Sequence, residues 1–165
     1  MKLDVHALKT NVFEDLNHRW MVIGATDGER ANAMTAGWGG GGVLWEENVF
    51  FIAVRPCRYT YEILENTKHC TLSFFGDEYR KELTYLGRTS GRDENKLQNS
   101  ALSPIVTETD VYFSEAKLVL SGEILAKVDL TGDSLCDKTL EKFYPKKDYH
   151  RIYVFKMTRA WTQND

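Results

Sequence analysis

The segment Asn32-Ala33-Met34-Thr35-Ala36-Gly37-Trp38 runs into Gly39-Gly40-Gly41-Gly42, then the apolar stretch Val49-Phe50-Phe51-Ile52-Ala53-Val54, and closes with Arg55-Pro56-Cys57-Arg58-Tyr59-Thr60. It reads as a polar strand with an aromatic end, a glycine loop, a buried strand and a basic turn opening a helix. That succession builds a cleft for a flat, phosphorylated ligand of the mononucleotide kind. Val49 to Val54 is apolar throughout and of strand length, which places it centrally, and Pro56 ends it because proline cannot donate to a ladder. Tyr59 to Asn66 has helical character, and its first turn follows two arginines, so free N–H groups and positive charge converge where an anion can bind. Gly39 to Gly42 reads as a flexible loop, without the Gly-Lys-Ser/Thr ending of a P-loop or the GxGxxG spacing of a dinucleotide fingerprint.

On either side of this segment, the sequence carries mostly strand signals. Trp20 to Thr26 and Ala31 to Trp38 flank Asp27-Gly28-Glu29-Arg30, the signature of an antiparallel hairpin. Cys70 to Phe75 reads as a strand stopped by Gly76, and Asp77 to Leu86 as a helix stopped by Gly87, with Arg88 to Asp93 as a loop. After Pro104 the chain returns to strand character. The longest piece is Ala116 to Leu130, where Gly122 permits a bulge or bend. Leu135 to Tyr144 reads as a helix, and His150 to Met157 alternates like a half-buried strand. Six or seven strands with two or three helices and no βαβ rhythm give an α+β, mainly β fold, an antiparallel barrel with a few peripheral helices.

At 165 residues, with 42% hydrophobic and 12% aromatic content, the chain fits one domain spanning residues 1–165. A net charge of -3 and a pI near 5.8 supply no basic field for nucleic acid or an acidic membrane. Cys57, Cys70 and Cys136 form no CxxC and are odd in number, as reduced thiols would be. The N-terminus Met1 to His6 is charged where a signal peptide is apolar, and no run approaches the roughly 18 apolar residues of a membrane span. A cytoplasmic location is expected. The histidines His6, His18, His69 and His150 lack paired metal spacing, so no metal site is expected.

Four motifs in order resemble the flavin reductase-like proteins of the FMN-binding split β-barrel fold, which include the flavoredoxins. They are Asn32-x-Met34-Thr35-x-x-Trp38, Arg55-Pro56-x-Arg58-Tyr59-Thr60, Leu72-Ser73-Phe74-Phe75, and Gly87-Arg88-x-Ser90-Gly91-Arg92-Asp93-x-x-Lys96. The resemblance implies a homodimer that holds FMN noncovalently and passes reducing equivalents through it. Asn32, Met34, Thr35 and Trp38 would line the flavin, Arg58 with Thr60 would hold its phosphate, and Lys96 would complete the site. Arg55, Ser73 and Ser90, which stand in these motifs, are included among the cofactor-binding residues. His150 and Trp161 would approach the ring. The four glycines depart from the family pattern.

Residue chemistry supports these roles but also permits plainer ones. A phosphate monoester carries close to two negative charges and needs several donors, a task arginine suits better than lysine; taken alone, Arg55 and Arg58 read equally as solvated turn residues. Trp38 offers a face for a ring system, or serves as a core tryptophan at a strand end. Asn32 and Thr35 suit the ring's carbonyl and N–H edge, while turn chemistry after Gly28 competes for Asn32. Lys96 and Arg92 would raise the potential of a nearby flavin, or belong to a solvated loop. A histidine opening a strand is more often structural. No base is placed beside Cys57, Ser73 or Ser90, so a hydrolase is not supported and no catalytic side chain is assigned. The expected activity is NAD(P)H:flavin oxidoreduction, with NADH or NADPH as donor and a small molecule or protein as acceptor. The alternatives are a flavoredoxin-type FMN carrier without nicotinamide activity and a barrel that binds haem or another non-flavin ligand.

Overall fold

A computed structural model describes residues 2–3 and 11–162. The charged N-terminal stretch read above, His6 included, lies outside them apart from the backbone of Lys2 and Leu3. Among the described residues ten strands run antiparallel: β1 Lys2–Leu3, β2 Met21–Thr26, β3 Ala31–Ala36, β4 Gly39–Leu44, β5 Glu47–Val54, β6 His69–Phe74, β7 Pro104–Val106, β8 Val111–Phe113, β9 Leu118–Asp129 and β10 Arg151–Trp161. The helices are α1 Val12–Glu14, continued as a π-helical segment Asp15–Arg19, then α2 Tyr59–Glu65, α3 Arg80–Arg88 and α4 Lys96–Asn99.

The main sheet has the order β3-β2-β6-β9-β10-β5-β4, with β1 added to the end of β10. Laid flat, its outer strands β3 and β4 would stand about 29 Å apart at the usual strand spacing. Yet only Gly37 and Trp38 separate β3 from β4 in sequence, a link that spans at most about 10 Å. The sheet must therefore curl on itself, which makes the barrel. The inward residues agree: Met34 of β3, Ile23 of β2, Leu72 of β6, Leu120 of β9, Phe155 of β10 and Ile52 of β5 share one buried cluster. Because side chains alternate along a strand, Val22, Ala33 and Val119 point outward. There they form a second core with Leu83 and Leu86 of α3, Leu97 of α4 and Phe113 of β8. The α+β, mainly β barrel expected from the sequence is thus the observed fold.

Gly39 to Gly42 are not a loop but the edge strand β4, paired with β5 in the register Gly40↔Phe51 and Gly41↔Phe50. A Cβ on Gly40 would stand 2.7 Å from the Phe51 ring and one on Gly41 3.1 Å from the Phe50 ring, so two aromatic rings cover the bare backbone. The β4–β5 turn is Trp45-Glu46, with φ of 53° and 61°, the left-handed conformation of a two-residue hairpin turn without its usual asparagine or glycine. Val49 to Val54 is accordingly next to an edge rather than central. The helix expected to stop at Gly87 runs on to Arg88, preceded by a 3₁₀ turn at Asp77–Tyr79. The helix expected over Leu135 to Tyr144 shrinks to a 3₁₀ segment, Lys138–Phe143.

Gly122 sits between two register shifts in the β9–β10 ladder. A Cβ there would lie 2.2 Å from the Lys156 carbonyl oxygen and 2.7 Å from the Phe155 ring. Neither backbone nor buried ring can yield easily, so Gly122→Ala should destabilise the fold by about 1–3 kcal/mol. Urea denaturation of the variant checks this; an unchanged midpoint would show that the ladder relaxes freely there.

Candidate functional site

β3 carries Asn32 and Met34 toward the barrel interior, and α2, α3 and α4 all pack against this strand. Where the first turn of α2 meets the α3–α4 loop, a small cavity of about 60 Å³ opens between Asn32, Arg58, Thr60, Arg88, Ser90 and Lys96. Three of these side chains are cationic, and no carboxylate lines the cavity. Lys96 is only 3% exposed. Its Nζ donates to the Leu86 carbonyl at 2.7 Å and the Thr89 carbonyl at 3.0 Å, while Arg58 Nη1 donates to the Gly87 carbonyl at 3.1 Å. Both cations therefore meet carbonyls at the C-terminal end of α3 and just beyond it, where orphan acceptors and the helix dipole favour positive charge. Burial, and then the neighbouring Arg58, push the Lys96 amine down to about 8.

The cradle is tightly drawn. Asn32 Nδ2 donates to Thr60 Oγ1 at 2.8 Å, and a Cβ on Gly91 would come within 2.6 Å of Asn32 Oδ1 and 2.5 Å of the Tyr59 ring. Ser90 Oγ accepts from the Arg92 N–H at 3.2 Å. Arg92 itself turns away: its Nε donates to Glu62 at 3.0 Å and its Nη1 to the Cys57 carbonyl at 3.0 Å.

Through Met34 and Arg58, which line both, this cavity adjoins a larger one of about 250 Å³ bounded by Thr35, Trp38, Ala53, Arg55 and His150. Thr35 Oγ1 donates to the Leu83 carbonyl at 2.5 Å, so its hydroxyl ties β3 to α3. A third hollow of about 270 Å³ lies against Thr35, Ala36 and Gly37, between Trp20, Leu83 and Arg88. Trp38 is 44% exposed as a residue, and its ring stands 4.6 Å from the His150 ring and 5.6 Å, edge-on, from Phe143. His150 Nδ1 shares a 2.9 Å hydrogen bond with the Tyr144 hydroxyl. Burial and the charge of Arg55 push His150 down to about 4, so its imidazole is neutral at pH 7.

Ten of the twelve residues singled out from the sequence thus line one connected cleft: Asn32, Met34, Thr35, Trp38, Arg55, Arg58, Thr60, Ser90, Lys96 and His150. Arg55 stands apart within it, and the other two lie outside it. Arg55 lines the larger cavity but not the small cationic one, because its Nη1 is held by Asp148 Oδ2 at 2.7 Å and its Nη2 by the Phe143 carbonyl at 2.8 Å. Ser73 is buried on β6 between Val22 and Val119, residues of the second core, on the outer face of the barrel. Trp161 ends β10, about 35 Å of strand away from His150. It lines a separate hollow of about 650 Å³ with Tyr112, Asp110 and Arg159. Within one chain, neither Ser73 nor Trp161 joins the cleft. Arg88 does join it; its place in the Gly87-Arg88-x-Ser90 motif was the available signal. Among the described residues no three or more His, Cys, Asp or Glu side chains gather as a metal site would require, and no helix is long and apolar enough to cross a membrane.

A family model described as the flavin reductase like domain matches residues 13–165. Among solved structures, an FMN-binding protein from Thermus thermophilus with bound p-hydroxybenzaldehyde is similar with a TM-score of 0.69 at 19% identity, over 87% of this chain and 71% of that one. A flavoredoxin from Methanosarcina acetivorans is similar with a TM-score of 0.68 at 18% identity, over 94% of this chain and 74% of that one. An NADH:FAD oxidoreductase from Streptomyces globisporus is similar with a TM-score of 0.67 at 13% identity, over 87% of this chain and 74% of that one. At such identities the likeness is one of fold. No curated protein matches the chain in sequence.

Proposed function

The chain belongs to the flavin reductase like domain family, and from that premise we propose that it is an FMN-binding oxidoreductase that uses a reduced nicotinamide as donor. The observation that carries this reading is the cationic cradle of Arg58, Arg88 and Lys96, with no carboxylate among its lining residues, opening directly into the slot walled by Met34, Thr35 and Trp38. Of the three, Lys96 is buried without a carboxylate partner, which is costly, while Arg58 and Arg88 reach the cavity from exposed positions; a phosphate monoester with close to two negative charges offsets that charge. These residues fit the cofactor. The phosphate group falls to Arg58, Arg88 and Lys96 with Ser90 beside them, and the flat ring system to the slot beyond Met34. Bound FMN supplies hydride acceptance from the nicotinamide and electron release to an acceptor.

The protein's own part is binding, orientation and charge. Asn32 and Thr60, bonded to each other, fix β3 against α2 and so hold the distance between cradle and slot. Neutral His150 offers a hydrogen-bonding nitrogen at the slot without adding charge, and Trp38 gives the slot an aromatic wall. No side chain is assigned as acid or base. A flavoredoxin-like carrier without nicotinamide activity would use the same cleft. Exposed Val43, Leu44, Trp45 and Phe51 on the β4–β5 hairpin favour docking of a protein, whether an electron acceptor or a second copy in a homodimer. The same reading includes a cytoplasmic setting.

The pH dependence of FMN affinity tests the cradle. The phosphate prefers the Lys96 ammonium, so affinity should be full below about pH 8 and fall as pH rises above it. Over that same window the unfolded chain binds more protons than the folded one, so this group's contribution to stability rises with pH; loss of affinity is then not loss of fold. Fluorescence titration with FMN from pH 7 to above pH 9 measures the slope, and Lys96→Met should flatten it. A slope that persists in the variant would remove Lys96 from the phosphate site.

A further inference from the structure

Between β9 and β10 the chain passes through residues 131–149, a segment of 3₁₀ turns at Gly132–Ser134 and Lys138–Phe143 that bears on two walls of the cleft at once. Phe143 packs edge-on against Trp38, and its carbonyl accepts from Arg55 Nη2. Asp148 Oδ2 takes Arg55 Nη1 at 2.7 Å, and the Arg55 guanidinium lies over the ring of Tyr144, 5.3 Å from its centroid. Arg55 is thus the polar tie between this segment and β5. It is also the one cation of the larger cavity paired with a carboxylate, for Arg58 bonds only a carbonyl among the described residues. The second carboxylate oxygen, Asp148 Oδ1, is buried without a hydrogen-bond partner among the described residues.

We propose that Asp148 is a positioning residue of the cleft: by holding and neutralising Arg55 it fixes residues 131–149 against Trp38 and sets how much positive charge faces the slot. The inference deepens the flavin reading and, for its redox part, rests on it. With Asp148 in place, the Arg55 charge is balanced and the guanidinium is held at the cavity wall. Without that carboxylate, Arg55 is an unpaired cation bordering the slot, and the segment keeps only the Phe143 carbonyl bond and the Tyr144 ring contact to it. A cation brought to bear on a bound flavin stabilises the negative charge gained on reduction, so the potential of the bound cofactor reports the neutralisation directly.

Asp148→Asn keeps size and removes charge; Asp148→Glu keeps charge. Hydrogen exchange of the protein without cofactor should quicken across residues 131–149 in Asp148→Asn by roughly tenfold or more, the scale of losing one charge-assisted tie from a locally opening unit, and return toward the parent rate in Asp148→Glu. Spectroelectrochemical titration of the FMN-loaded protein should place the midpoint potential of Asp148→Asn above that of the parent, with Asp148→Glu again close to the parent. Unchanged exchange in Asp148→Asn overturns the tie, and an unmoved potential overturns the neutralisation. If the parent chain takes up no FMN, the flavin reading fails, while the exchange comparison still decides whether Asp148 holds the segment.

Discussion

Arg58→Ala should weaken FMN binding by roughly 10- to 150-fold, the range expected for losing a hydrogen bond to a charged group. Arg58 lines both the small cationic cavity and the larger slot, so it stands where phosphate and ring system meet. It lies between the end of β5 at Val54 and the start of α2, and its backbone is extended at the helix N-cap, which turns the side chain off the helix and back toward Gly87. Arg58→Lys keeps the charge but loses the planar fork, so it should recover only part of the affinity. Because Arg58 also bonds the Gly87 carbonyl, circular dichroism melting of the variant without cofactor separates a loosened α3 from a lost ligand contact. An affinity within twofold of the parent would move the phosphate site elsewhere.

The second large effect falls on the fold. Phe155 is fully buried, lies over the bare backbone of Gly122 and sits 6.1 Å from the Phe50 ring. Its truncation to alanine opens a cavity between β9, β10 and β5 that neighbouring strands cannot fill without breaking their ladders. Phe155→Ala should cost about 3–5 kcal/mol, a large share of the ~5–15 kcal/mol that holds a domain together. Phe155→Leu should cost much less. Urea denaturation without cofactor measures both, and a loss below about 1 kcal/mol for the alanine variant would mean that Phe155 is not the keystone of the barrel interior.

The strands that pair through ordinary local signals were legible: the Asp27-Gly28 hairpin, the apolar β5, and the long β9 with its bend at Gly122. The edge strand β4 was not, because nothing local makes four glycines extended. The rings of Phe50 and Phe51 impose that state from the neighbouring strand, and the turn at Trp45-Glu46 takes a left-handed conformation that its residues do not advertise. The cleft was legible where its parts lie close in sequence, from Asn32 to Thr60. Arg55 could not be placed from the sequence, since its partner Asp148 is 93 residues away and no pattern links them. Trp161 and Ser73 were assigned by likeness rather than by their surroundings. The barrel sends one to the far end of β10 and the other to its outer face.

The central claim is that this cleft holds FMN and exchanges electrons with a nicotinamide, and the visible absorption spectrum of the purified protein tests it most directly. After incubation with FMN and removal of the unbound cofactor, flavin bands should remain with the protein and bleach on anaerobic addition of NADH or NADPH. Bands that stay unbleached with both nucleotides would contradict the reductase reading and leave the carrier. A colourless protein would contradict FMN binding itself.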